Sequence, residues 1–115
     1  MTFDEYQKAA MKTDSFNKTE RDLMSDGFVN KVLGVCGETG EFADKIKKLR
    51  RNKGHSQLDD TEVDELSREL GDVLWYLATL ADYLGLSFDD VAEQNIAKLA
   101  DRAKRNKINS QGDNR

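Results

Sequence analysis

Apolar residues recur at helical spacing along most of the chain. Val63, Leu66, Leu70, Val73, Leu74, Leu77, Leu80, Ala81 and Leu84 fall on one stripe of a helical wheel, the pattern of an amphipathic helix that buries one face. Cap chemistry sets the boundaries. Asp60 or Thr61 opens this helix and Gly85, just past Leu84, stops it. Thr2-x-x-Glu5 reads as a capping box for a first helix running to Met11. A second helix spans about Phe28 to Asn52 and stops near Gly54, with residues 54–59 as a loop. Ser87-x-x-Asp90 caps a fourth helix that ends between Lys104 and Lys107. Residues 13–26 are polar, with room for a short helical turn after Thr19-x-x-Asp22. No segment alternates as a strand does, and the absence of proline leaves long helices unbroken. The pattern predicts an all-α, four-helix domain over residues 1–106 and a polar C-terminal tail over 107–115.

Composition sharpens this picture. At 115 residues the chain is one domain with a small core that self-association would help. A net charge of −4 argues against nonspecific affinity for nucleic acid. The charges are nonetheless blocked: residues 45–53 hold six basic and no acidic side chains, while 59–72 hold seven acidic and one basic, Arg68. Local blocks of both signs suit a cation beside a polyanion, or simply solvated helix faces. Cys36, the only cysteine, excludes an internal disulfide and reads as a small packed hydrophobe among apolar neighbours. Without a membrane-length apolar run or a signal peptide, the expected location is cytoplasmic.

The candidate chemistry lies in two acidic pairs. Glu38 and Glu41 sit at i, i+3 on the second helix, and Glu69 and Asp72 do the same on the third. Each pair projects from one face and repels itself. Two facing pairs would form a hard, all-oxygen site suited to Mg²⁺ or Mn²⁺. The same residues also fit an ordinary charged bundle, with Glu41 paired to Lys45 and Asp64 to Arg68. Tyr76 shares the Glu69 and Asp72 side of its helix. Gly34, Gly37 and Gly40 lie inside the second helix and Gly71 inside the third. Each costs about 1 kcal/mol relative to alanine, which implies close approach of another helix or a ligand. Asn95, Lys98 and Arg102 form a row on the fourth helix able to grip phosphate oxygens, although Arg102 could instead cover Leu99 with its stem. An iron-carboxylate bundle would need Glu-x-x-His pairs, and the sole histidine, His55, falls in a loop. Phosphate-loop, dinucleotide and zinc signatures are absent.

Taken in order, Phe3-Asp4-Glu5-Tyr6-Gln7, Gly37-Glu38-Thr39-Gly40-Glu41, Glu69-Leu70-Gly71-Asp72-Val73-Leu74-Trp75-Tyr76 and Asn95-Ile96-Ala97-Lys98-Leu99 with Arg102 resemble the MazG family of nucleoside triphosphate pyrophosphohydrolases. The resemblance covers nearly the whole chain. It implies a MazG-like bundle completed by oligomerisation, as a dimer or tetramer, and hydrolysis of (deoxy)nucleoside triphosphates to monophosphate and pyrophosphate. It also implies Mg²⁺, with Mn²⁺ as an alternative, held by Glu38, Glu41, Glu69 and Asp72. Glu38 or Glu41 would orient or deprotonate the attacking water. Asn95, Lys98 and Arg102 would hold the triphosphate, Tyr76 would contact the nucleotide, and Trp75 would stack on a base or pack at a subunit interface. The resemblance is to the short form, without a second catalytic domain. No membrane or stable nucleic-acid partner is expected. A non-catalytic helical interaction module and a small nucleic-acid-binding regulator are the competing readings. The tail, with Lys107, Ser110, Gly112 and Arg115, is expected to fold over nucleotide or a neighbouring subunit, or else to be a solvated end.

Overall fold

The computed structural model describes residues 1–16 and 25–105. The proposed turn after Thr19 and the tail lie outside the described residues. Four helices follow one another: α1 (Phe3–Met11), α2 (Asp26–Lys53), α3 (Asp60–Tyr83) and α4 (Phe88–Lys104). The described residues contain no strand.

Each helix starts on a side-chain cap. Thr2 and Asp59 form full capping boxes with Glu5 and Glu62, and Ser87 accepts from the Asp90 N–H. The second helix begins two residues earlier than the apolar pattern suggests, because Ser25 caps it by accepting from the Phe28 N–H. Gly54 (φ 64°) and Gly85 (φ 74°) take the left-handed conformation that ends α2 and follows α3.

α2 and α3 pack antiparallel along most of their lengths. Gly27 meets Tyr83, Gly34 meets Tyr76, Lys45 pairs with Glu69, and Lys53 with Glu62. α1 lies on α3, and α4 bridges the ends of both. Gln7 fixes this corner: buried on α1, it donates to the carbonyls of Ala78 (3.2 Å) and Leu86 (2.9 Å) and accepts from the Phe88 N–H. Asp4 accepts from the Ser87 hydroxyl and the Asp89 N–H. These bonds hold its carboxyl below the ordinary value, the Asp89 N–H contributing most. Ala10, Ala78, Ala81 and Phe88 form the core, flanked by Tyr6, Leu74 and Trp75.

The predicted apolar stripe of α3 divides. Leu66 and Ala81 are buried, but Val63, Leu70, Leu77 and Leu84, spaced every seven residues, are 37–55% exposed. Cys36 is exposed rather than packed, because α2 touches only α3 among the described helices and Cys36 faces away from it.

At the N-terminal end of α2 a charged residue enters the interior. Lys31 is 1% exposed, and its ammonium pairs with Asp14 at 2.8 Å. It also sits 4.7 Å from the ring centre of Phe16, 5.3 Å from that of Tyr83 and 5.4 Å from that of Trp75. The Tyr83 hydroxyl donates to Asp14 at 2.6 Å. Burial alone would raise the Asp14 carboxyl, but hydrogen bonds from Lys31, Tyr83 and the Phe16 N–H outweigh it and hold the group below its ordinary value. Burial, then the bond to Asp14, pushes the Tyr83 phenol well up. The pair ties the end of the α1 segment to α2 and α3 at once.

Two outcomes follow for stability. Lys31→Met strands a buried carboxylate and should cost about 3–5 kcal/mol in urea denaturation at neutral pH. Asp14 is depressed in the folded chain, so its contribution is present above the unfolded carboxylate pKa of about 3.9 and fades as pH falls through the folded value. The gap between wild type and Lys31→Met should therefore narrow below about pH 4; a gap under 1 kcal/mol at neutral pH would contradict the ion pair. Gly34→Ala places a methyl 2.1 Å from the Tyr76 ring. Overpacking of this kind costs about 1–3 kcal/mol, against a gain of about 1 kcal/mol from helix propensity. The same denaturation assay should show destabilisation or near-neutrality, and a clear gain would refute the close approach.

Candidate functional site

The antiparallel register brings the two acidic pairs together. Glu38, Glu41 and Glu69 each offer a carboxylate oxygen, and these oxygens lie within 4.8 Å of one another. Asp72, one turn along α3, is exposed and its carboxylate stands outside that group, although its charge acts on Glu38. The Glu38 carboxyl is raised, first by partial burial and then by the charges of Glu41, Asp72 and Glu69. All four acidic positions thus occupy one region, three with oxygens close enough to share an ion.

The crowding has an energetic sign. A carboxylate whose folded pKa is raised binds its proton more tightly in the folded chain. It therefore costs stability at neutral pH, and that cost is relieved as pH falls. A bound cation relieves it in the same way. Glu69 adds a second indication: its Oε1 pairs with Lys45 at 2.9 Å, while its Oε2 is buried and has no hydrogen-bond partner among the described residues. A buried, unsatisfied carboxylate oxygen calls for a ligand. The donor set is all oxygen, and the residues present fit a hard divalent cation.

α2 packs closely on α3 one turn before Glu38, at Gly34. The Tyr76 ring occupies the space where a side chain at residue 34 would stand. Gly34 thus meets the expectation of close approach. Gly37, Gly40 and Gly71 do not: among the described residues a Cβ at any of them would meet nothing within 4 Å. Tyr76 is half-buried against Gly34 and edge-on to Trp75, with ring centres 5.0 Å apart. Trp75 donates its indole N–H to the Thr13 hydroxyl at 2.8 Å and flanks Lys31. It is engaged within the chain. On α1, the Tyr6 phenol is raised by burial and then by the charge of Asp72, which places α1 along that edge of the acidic region.

The row on α4 stands apart. Asn95 and Lys98 are exposed, and Arg102 is 3% exposed. Among the described residues, α4 packs on α1 and α3 and not on α2, the helix that carries Glu38 and Glu41. Lys45, Lys31, Asp14 and Thr13 were not singled out by sequence as parts of this region. Only Lys45 carried a signal, as an i+4 partner of Glu41; in the fold it pairs across to Glu69 instead.

Comparison with known proteins agrees with this geometry. The family model for the MazG nucleotide pyrophosphohydrolase domain matches residues 30–106. A protein of Mycobacterium phage L5 described as "Gene 37 protein" is 37% identical over 115 residues, covering the full length of both chains. No solved structure matches. The matched span contains all four carboxylates, Tyr76 and the α4 row, and the chain belongs to the MazG nucleotide pyrophosphohydrolase family.

Proposed function

We propose that the chain hydrolyses (deoxy)nucleoside triphosphates to the monophosphate and pyrophosphate, using a divalent cation, Mg²⁺ or Mn²⁺, held by Glu38, Glu41, Glu69 and Asp72. The observation that carries this reading is the convergence of one carboxylate oxygen each from Glu38, Glu41 and Glu69, beside a Glu69 Oε2 that is buried with no hydrogen-bond partner among the described residues. The family is in general dependent on divalent metal, and this cluster fits one. When bound, the cation would neutralise phosphate charge and acidify a coordinated water. In this reading Glu38 or Glu41 would orient that water or accept its proton for in-line attack. Lys98 and Asn95, exposed on α4, offer donors to the polyphosphate. Arg102 belongs to the same row, and its burial assigns it first to holding α4 in place. Tyr76 lies beside the carboxylates on α3 and would border the nucleotide. A role for the C-terminal tail in closing over nucleotide is part of the same reading.

A second copy of the chain completes the bundle in this proposal. Val29, Leu33, Cys36, Gly40 and Ala43 are all exposed on α2 and alternate at steps of four and three, the spacing of a helix-packing seam. The seven-residue row of α3 adds Val63, Leu70, Leu77 and Leu84. Leu33 at 64% and Leu70 at 55% exposure are too apolar for a solvated face.

Pyrophosphate release from a panel of nucleotides should require Mg²⁺ or Mn²⁺ and vanish in Glu41→Gln and Asp72→Asn with helicity unchanged. Full turnover in excess chelator would sink the enzyme reading. Sedimentation should show a dimer or larger, and Leu33→Lys should shift it toward monomer. A folded wild-type monomer at micromolar concentration would remove the seam as an interface.

A further inference from the structure

Lys45 does something for the acidic site that the four carboxylates alone do not explain. It follows Glu38 and Glu41 on the same face of α2, at i+7 and i+4. Its ammonium reaches across to α3 and takes Glu69 Oε1 at 2.9 Å. The Lys45 side chain remains 41% exposed, while that of Glu69 is only 13% exposed. The bond to Glu69 is the main cause of the raised proton affinity of Lys45, and Glu65 and Glu41 add to it. The result is a division of labour within one carboxylate of the acidic cluster: one oxygen is held by a cation of the chain, and the other is buried with no hydrogen-bond partner among the described residues.

Building on the metal reading above, we propose that Lys45 is a positioning residue that orients Glu69 for the divalent cation by holding Oε1 and leaving Oε2 for the metal. The physical argument is geometric. A carboxylate is planar, so fixing one oxygen fixes the direction of the other. Without Lys45, Glu69 faces three like charges and has no other donor among the described residues to hold it inward, and rotation toward solvent relieves the repulsion. Partners that hydrogen-bond a metal ligand from behind commonly govern metal affinity by about 10–100-fold. A competing effect has the opposite sign: the ammonium repels a neighbouring cation, so its removal would tighten metal binding if Lys45 merely occupied the site. The direction of the change therefore separates positioning from competition.

The test is direct Mn²⁺ binding to the full chain without nucleotide, by electron paramagnetic resonance and calorimetry, with helicity checked by circular dichroism. Lys45→Met keeps the aliphatic stem and helix propensity but removes the donor, and should weaken Mn²⁺ binding by about 10-fold or more. Lys45→Arg retains a charged donor and should stay within about threefold of wild type, a rescue that loss of general stability would not produce. Equal or tighter binding by Lys45→Met overturns the positioning role while leaving the metal site intact. Equal weakening in both variants also overturns it. Absence of Mn²⁺ binding in wild type overturns the metal reading and this inference together.

Discussion

Acidic side chains facing one another across two antiparallel helices form the constraint on which the rest of this structure turns. Such an arrangement pushes α2 and α3 apart, and the fold answers with attachments on either side of it. Toward the start of α2, the absence of a side chain at residue 34 lets the Tyr76 ring lie against the helix backbone. Toward its end, Lys45 crosses to Glu69 and Lys53 to Glu62. Farther back, Lys31 draws Asp14 and the aromatic rings of Phe16, Trp75 and Tyr83 into one anchored cluster. The carboxylates thus occupy the middle of a helix pair fastened at both ends, so they cannot separate by the easy route of splaying the helices.

The secondary structure was largely legible because its determinants are local. A cap and its N3 partner lie three residues apart, and the boundaries set by Thr2 and Ser87 are readable within that window; the Asp59–Glu62 box lies in a window of the same length, just before the start that the sequence assigns to α3. Ser25 was missed because Asp26 and Gly27 separate it from the first apolar residue, and the apolar pattern rather than the cap fixed the expected start. The burial of Lys31 could not be read in this way. Its ion-pair partner is 17 residues away and two of its ring contacts lie on a different helix, so in sequence it resembles any lysine on a solvated face. Gln7 presents the same difficulty, since its three bonds reach the far end of α3 and the start of α4.

The acidic site was legible for a complementary reason. Spacing at i, i+3 already states that two carboxylates share a face, and only the facing of the two helices remained to be found. Periodicity cannot say which part of an apolar stripe meets the chain's own core. That limit explains Val63, Leu70, Leu77 and Leu84, which obey the helical period yet remain exposed. It also explains Cys36, whose apolar neighbours in sequence are not its neighbours in space. For the α4 row, helical spacing placed Asn95, Lys98 and Arg102 on one face. It could not say that this helix stands off from α2 or that Arg102 turns inward.

The position of α2 gives these observations a common consequence. It is the longest helix, at 28 residues, and α3 is its only helical neighbour among the described residues. One face therefore carries the carboxylates and the opposite side carries Val29, Leu33, Cys36, Gly40 and Ala43. A rigid helix transmits constraint from one face to the other. A cation bridging Glu38, Glu41 and Glu69 would fix α2 against α3, and with it the orientation of the apolar seam. A second copy seated on that seam would in turn hold α2 straight through the glycines at 37 and 40, where the intrinsic stiffness of the helix is lowest. If each event orders what the other requires, metal binding and self-association favour one another, with the same coupling free energy read from either direction. Gly37 and Gly40, which meet no neighbour among the described residues, would on this reading leave α2 able to adjust until both of its faces were covered.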